Sequence, residues 1–561
     1  MPGFAPTTGR NFEVSASLRF ASLQIAAAPL EDHLRTLEHS LEMIDEAARR
    51  GAKLIALPEC TYPAYFLQSA DRLAELGVLA GAEVVARYAE RARRHGVHIA
   101  VGLAYIEEDG TLSNSAVLVD DAGHVVGHYR KSYLWHFDNE WFACGTDFPV
   151  FDTALGRVGL LICADARQPE IARSICLQGP DLLVDLTAWV TWGDDHSRLT
   201  SLQPDRLLPA RAIENGVWIA AAAKVGQEAE SVLYCGSSCL VAPDGRTVER
   251  ASSDHEEVVT WDIPARAPAA PPLPRRPELY PEIVQPTAGL PVRALMDEPA
   301  DLRRTAMIAA AQLPPYEDGA DLVWQAERIV ERGRAQGVNI IVLPAYDPAR
   351  AADFSAQDHL SRLAALAALA GEDLIVVVAL AEPAADGFYR TAYALSGGGV
   401  LAWHRQTHPE DHAGTAGTLY GNEQSPVIET PHGRLALMLS AEGFAPEVAR
   451  CLMLRGAEII AWPVFQPPFP VSLFARVRAE ENRVFVAAAA VDDGQYGRAC
   501  IADPTGALLA ETPAGSGLTV SVLVCPAQAR WKDRAPGTNI VLSRRPESYS
   551  SLVAIPGPAP A

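Results

Sequence analysis

The sequence is poor in the features that would place it at a membrane, on a nucleic acid or in an oxidising compartment. No uninterrupted apolar run approaches the roughly 20 residues of a membrane-spanning helix, and the opening MPGFAPTTGRNFEVSAS has no basic stretch followed by an apolar one. Basic residues are the minority. The 47 Lys and Arg stand against 69 Asp and Glu, a net charge of −22, which repels phosphate backbones and anionic lipid surfaces alike. The nine cysteines form no CxxC pair, which argues against a disulfide framework and against a zinc site, and for a reducing compartment. The expectation is a cytoplasmic protein that handles a small molecule, with no nucleic-acid or membrane partner.

What is present is an alternation. From Leu18 the pattern reads strand (LRFASLQIA), helix (LEDHLRTLEHSLEMIDEAARRG), strand (KLIALPE), helix (AEVVARYAERARRHG) and strand (HIAVGLAYI), the signature of an α/β fold. SNSAVLVDDAGHVVGHYRK follows as two strands joined by a turn. Residues 151 to 186 then read as an apolar strand (Val158 to Ile162), a sharp corner, a helix ended by Gly179, and another strand (Leu182 to Leu186). Beyond lie the helix LLPARAIENG and the strand VWIAAAAKV. The Pro-rich stretch IPARAPAAPPLPRRP marks a semi-rigid connection out of this first unit.

The same order then repeats. KLIALPEC is answered by NIIVLPAY, VVGHYRKSY by VLAWHRQTH, and GRVGLLICADARQPEIARSICLQGPDLLV by GRLALMLSAEGFAPEVARCLMLRGAEIIA. ARAIENGVWIAAAA returns as VRAEENRVFVAAAA, and RRPELY as RRPESY. Two copies of one domain therefore make up the chain: a first over 18–286 and a second over 303–552, with a tail at 1–17, a linker at 287–302 and a tail at 553–561. The repeat also dismisses a false lead. Ser396-Gly-Gly-Gly falls where Asp120-Asp-Ala-Gly joins two strands, so it reads as a turn and not a phosphate loop. His404, His408 and His412 have the spacing of metal ligands on a helix, yet their polar, turn-like surroundings predict a solvated loop.

Three reactive groups of the first copy stand at ends of predicted strands, where open α/β sheets place their sites: Glu59 after LIALP, Lys131 after GHYR and Cys163 after VGLLI. The corner at Cys163 aims free amide groups of a helix start at the thiol, which is expected to lower its pKa from about 8.5. Taken singly, each residue reads as a surface charge or as core filling. Together, in this order and on the words LPE, YRK and C-x-D-x-R-x-P-E, they resemble the nitrilase superfamily of carbon-nitrogen hydrolases over nearly the whole chain. NEWFACG is similar to the segment carrying that family's second glutamate, Glu140 here, with Asp138 as the fallback because Ala143-Cys144 departs from the usual pattern.

The resemblance implies two tandem αββα sandwiches, paired through outer helices, with a further homo-oligomer left open. It implies a Cys163 nucleophile, Glu59 as general base, Lys131 as oxyanion stabiliser, Glu140 orienting substrate and Lys131, and the amide of Ala164 as a second oxyanion donor. No metal or organic cofactor is required. The Asp-x-Arg-x-Pro-Glu continuation favours amide or N-carbamoyl substrates over nitriles. Trp135, His136 and Phe137, with Trp189 and Trp192, are candidates for an aromatic pocket wall and equally for packing. In the second copy the matched residues are Ala345, Gln406 and Ser440, which predicts a non-catalytic partner domain. The rivals are amide-acyl transfer by the same triad and, of a different class, a scaffold protein in which both copies have decayed.

Overall fold

The computed structural model describes residues 17–229, 232–264, 274–346, 355–410 and 417–555. In the first half the apolar runs form two six-stranded sheets. One is ordered Glu257–Pro264, Ser17–Gln24, Leu54–Tyr62, His98–Ile106, Leu112–Val119, Val125–Arg130. The other is ordered Thr247–Arg250, Cys239–Val241, Trp218–Ala223, Leu182–Thr187, Gly156–Ile162, Val150–Thr153. Parallel strands occupy the centre of each sheet and antiparallel strands its flanks. Central strands covered on both faces need apolar residues throughout, and Leu54–Tyr62 and Leu182–Thr187 are buried along their whole length.

The sheets stack face to face. Phe20, Leu54, Ala100 and Leu118 of one meet Leu160, Ile162, Val184 and Ala221 of the other in one buried cluster. The outer face of the first sheet takes helix His33–Arg49 through Leu37, Leu41 and Ile44, at helical spacing, and helix Gly81–His95 through Val84 and Tyr88. Helices Pro169–Cys176 and Leu208–Asn215 cover the second sheet. The result is an αββα sandwich.

The second half repeats it. Its sheets run Thr519–Val524, Ala306–Leu313, Ile340–Ala345, Ile375–Ala384, Gly387–Ser396, Gly399–Arg405 and Leu508–Glu511, Cys500–Ala502, Phe485–Val491, Ile459–Val464, Gly433–Leu437, Ile428–Thr430. Here Gln312 and Leu313 pair with Ala490 and Val491 and so join the two sheets; in the first half the bridge Ala26–Val225 links the chain just past the strand Ser17–Gln24 to a separate three-stranded sheet of Val225–Glu228, Val232–Cys235 and Val190–Thr191.

The halves meet through the helices on their second sheets. Leu207, Ala210 and Ile213 enter an apolar cluster with Ala449, Leu452 and Phe474. At its centre Arg211 and Arg478 each bridge Glu214 and Glu481 at 2.5–2.6 Å, all four side chains buried. Flanking pairs repeat with the same symmetry: Arg173 with Glu447, and Arg450 with Glu170. The repeated arms cross reciprocally. Arg276 donates to the Thr407 carbonyl at 2.8 Å and Tyr280 bonds His408, while Arg545 donates to the Cys144 sulfur at 2.7 Å and Tyr549 stacks on Phe148.

The expected linker 287–302 carries a helix, Pro291–Asp297, and Leu290 and Val292 bury their side chains in the second half's apolar cluster. His404 and His408 are buried and not solvated, because Glu442 and Tyr280 respectively accept or donate hydrogen bonds to them; His412 lies outside the described residues. Ser396 to Gly399 is a hairpin turn as expected. The Pro-rich stretch falls largely on 265–273, outside the described residues. No helix among the described residues is long and apolar enough to cross a membrane.

Candidate active site

The strand Gly156–Ile162 ends at Cys163, which opens a single 3-10 turn (Cys163–Arg167). The turn is closed by Asp165. Its carboxylate accepts from the Ile162 amide at 3.2 Å, from the Ser132 and Tyr133 amides at 3.2 and 2.8 Å, and from the Tyr129 hydroxyl at 2.7 Å. This ties the corner to the segment after Lys131 and forces Cys163 to φ +47°, a conformation that costs a non-glycine residue about 1–3 kcal/mol. Its amide donates to Asp185 at 2.9 Å. Burial, with Glu59 and Asp165 adding to it, pushes the Asp185 carboxyl well above the usual carboxylate range.

Glu59 and Lys131 arrive from the other sheet, Glu59 on the strand Leu54–Tyr62 and Lys131 just past the edge strand Val125–Arg130, with two strands between them. Glu59 is fully buried; Oε1 accepts from Lys131 Nζ at 2.6 Å and Asn114 Nδ2 at 2.8 Å, and Oε2 from the Ala188 amide at 3.0 Å. Lys131 also donates to Asp138 Oδ2 at 2.5 Å, and that oxygen accepts the Trp135 amide at 2.9 Å. Burial opposes the ammonium, but Asp138 and Glu59 together outweigh it, so Lys131 is held charged, well above the ordinary lysine range. Burial raises the Glu59 carboxyl, with Asp138 adding to the shift and Lys131 opposing it.

Sequence reasoning is corrected at two points. Glu140 is exposed on the one-turn helix Asp138–Trp141, whose buried residue is Asp138; the residue that touches Lys131 is therefore Asp138. The thiol is not acidified either. Burial pushes the Cys163 thiol up and the Glu59 carboxylate adds to it, against Lys131; a single 3-10 turn supplies too weak a dipole to compensate. The other candidates are close by. Ala164 is the buried second residue of the turn. Trp189 is buried, and Gln203, with its amide turned so that both ends are satisfied, donates to the Cys163 carbonyl at 2.7 Å and accepts from Trp189 Nε1 at 3.3 Å. Trp135 is half-buried under the Arg167 guanidinium, 4.6 Å away. His136 and Phe137 continue that turn, whereas Trp192, at 88% exposure, is no part of a wall.

Asn114, Asp185 and Gln203 were not anticipated. Asp185 had a signal, a charge inside the apolar run LLVDL, and Asn114 a weaker one as an amide opening a strand that faces the core; Gln203 had none.

In the second half the matched positions no longer form this arrangement. Ser440 keeps the corner at φ +44°, and Glu442 closes it as Asp165 does, accepting from the Leu439 amide at 2.8 Å and the Thr407 amide at 2.7 Å. Arg390, at the position of Asn114, is ion-paired with Glu410, whose Oε1 accepts the Ala441 amide at 3.3 Å. A carboxylate of the chain thus sits on the amide that matches Ala164. The strained corner persists with Ser440 in place of Cys163, so it belongs to the framework.

The chain belongs to the carbon-nitrogen hydrolase family, whose sequence model matches residues 19–270 and again 307–530. It is 33% identical over 225 residues to a nitrilase of Pyrococcus abyssi, 40% of this chain and 80% of that one. It is 30% identical over 258 residues to an omega-amidase of Xenopus tropicalis, 44% of this chain and 89% of that one. The match to a probable nitrilase of Schizosaccharomyces pombe, 33% identical, spans 61% of that protein's length. Among solved structures, an amidase from Nesterenkonia sp. is 26% identical, with a TM-score of 0.39, over 46% of this chain and 94% of its own.

Proposed function

We propose that the first half hydrolyses a carbon-nitrogen bond of a small amide or N-carbamoyl compound through a Cys163 thioester. The observation that carries this reading is the buried Lys131 ammonium held between Glu59 and Asp138, beside a thiol on which the charges of both Glu59 and Lys131 act. A neutral, buried thiol needs a base, and a carboxylate of raised pKa in a dry site is a stronger base than a solvated one. Glu59 takes the thiol proton as Sγ attacks the carbonyl carbon. Lys131 and the Ala164 amide stabilise the oxyanion. Glu59 then delivers its proton to the nitrogen, which leaves as ammonia or an amine. Water, deprotonated by Glu59, attacks the thioester and releases the acid, and the thiolate recovers its proton. Asp138 fixes Lys131 in place of Glu140.

The second half acts as a non-catalytic partner. Its Ala345, Gln406 and Ser440 supply neither base nor ammonium, and Glu410, paired with Arg390, accepts the amide of Ala441. The test is ammonia release from a panel of primary amides, N-carbamoyl compounds and nitriles, run with the parent and Cys163→Ala. Ammonia from amides or carbamoyl compounds, abolished in the variant, is expected. Turnover of nitriles alone, or undiminished turnover by the variant, would overturn the reading.

A further inference from the structure

The segment that follows Lys131 is braced from outside its own domain. Asp165 gathers the amides of Ser132 and Tyr133 from one side. On the other side stands Thr538, a fully buried residue of the second half. Its hydroxyl donates to the Leu134 carbonyl at 3.3 Å and accepts the His136 amide at 2.7 Å, closing a bracket around Trp135. The Trp135 amide inside that bracket donates to the same Asp138 oxygen that receives Lys131. His136 itself lies at φ +46°, so the turn is strained and depends on its partners for shape.

The Trp135 ring is held as well. Arg167, the last residue of the Cys163 turn, lies over it, and the guanidinium is fixed by Glu480 of the second half at 2.8 Å. Glu480 in turn pairs with Arg534, whose guanidinium lies 5.9 Å from the Tyr133 ring centre. These second-half contacts to residues 133–136 therefore act on the backbone or ring next to the Lys131–Asp138 pair.

We propose that Thr538 and Glu480 are positioning residues that the second half contributes to the first half's active site, acting through the 134–136 turn on Asp138 and Lys131. This rests on the triad reading above, and it assigns the second copy a specific task beyond covering an apolar face. A hydroxyl that makes two hydrogen bonds is a small part of the stability of so large a chain, but an error of about 1 Å at a reacting group can cost about 100-fold in rate. The signature is loss of activity without loss of fold.

The experiment uses the full-length protein as parent, Thr538→Val, Thr538→Ser, Glu480→Gln and Cys163→Ala. Three quantities are read: kcat and KM on an amide found in the panel, the thermal midpoint, and the pH dependence of Cys163 alkylation by iodoacetamide, in which the sulfur displaces iodide, followed by mass spectrometry. Expected for Thr538→Val is a fall in kcat of at least about tenfold with KM nearly unchanged, a displaced alkylation profile and an unchanged midpoint. Thr538→Ser, which keeps the hydroxyl, should restore both profile and kcat, and Glu480→Gln should fall between. Parental kcat and profile in Thr538→Val, or failure of serine to restore them, would overturn the proposal. Should Thr538→Val unfold, the decision rests on Glu480→Gln and Thr538→Ser: parental kcat and profile in the former, or an altered profile in the latter, would overturn it. Activity retained by Cys163→Ala would instead overturn the triad reading, and the alkylation profile would still judge the brace.

Discussion

At Cys163 two influences compete, and burial wins. The corner geometry that exposes a side chain at a strand end would favour a thiolate, yet the thiol is enclosed and faces the Glu59 carboxylate, which raises its pKa. Chemistry there depends on proton transfer, so Cys163→Ala should abolish ammonia release with the fold intact, and Glu59→Gln should reduce it by at least about 100-fold. Lys131→Ala should cost about 100- to 1,000-fold, the range for losing an oxyanion donor. Asp138→Asn should be severe and Glu140→Gln silent; a severe Glu140→Gln would restore the assignment made from sequence. The pH dependence follows from Glu59. A general base works deprotonated, and burial raises its pKa, so protonation sets in at higher pH than for a solvated glutamate. The acid limb of kcat/KM should therefore lie above the ordinary value of about 4.3, and a limb at or below it would contradict the role.

The strand, corner and helix around Cys163 are duplicated in the second half, with the strain intact and Ser440 in place of the cysteine. Ser440 is buried and its hydroxyl accepts the Phe465 amide at 3.2 Å, a structural bond. Ser440→Ala should leave turnover within a few-fold of the parent, measured on the same amide. The helices Leu208–Asn215 and Val471–Asn482 are another matter. They meet over four buried charges, each guanidinium touching both carboxylates. Removing one charge strands the others in a dry interface, which costs about 3–5 kcal/mol. Glu481→Gln should lose about that much in denaturant unfolding of whichever transition reports the junction, and a loss below 1 kcal/mol, on the order of a surface pair, would show that the ring is solvated.

Across the whole molecule the two copies are joined by a pseudo-twofold arrangement in which each offers an Arg and a Glu three residues apart. That pattern is self-complementary. A first half expressed alone as residues 1–286 presents Arg211 and Glu214 to a second copy of itself and can rebuild the ring as an isologous dimer. Light scattering after gel filtration should find a dimer or aggregate. Its activity should be reduced, because Thr538 and Glu480 are missing from the 134–136 turn. A monomeric, fully active first half would show that the second copy has neither a structural nor a positioning role. The reciprocal arms also explain a repeat that lies outside the sandwiches: RRPELY and RRPESY are alike because each crosses to the other copy and meets the same kind of surface.

Much of this was legible in the order of residues alone. Periodicity set the α/β alternation, since strands buried on both faces must be apolar throughout and surface helices amphipathic, and internal similarity set the tandem architecture. The family of Glu59, Lys131 and Cys163 could be recognised because each sits on its own short word. What sequence could not supply were relations decided by side-chain reach and enclosure across distant segments. Glu140 and Asp138 are two residues apart, and only the turn of the short helix decides that Asp138 points inward to Lys131. The direction of the Cys163 pKa depends on what encloses it. The burial of His404 and His408 depends on Glu442 and on an arm from the other copy. The brace of Thr538 on the 134–136 turn joins residues about 400 positions apart in the chain, a contact made only when two folded domains dock.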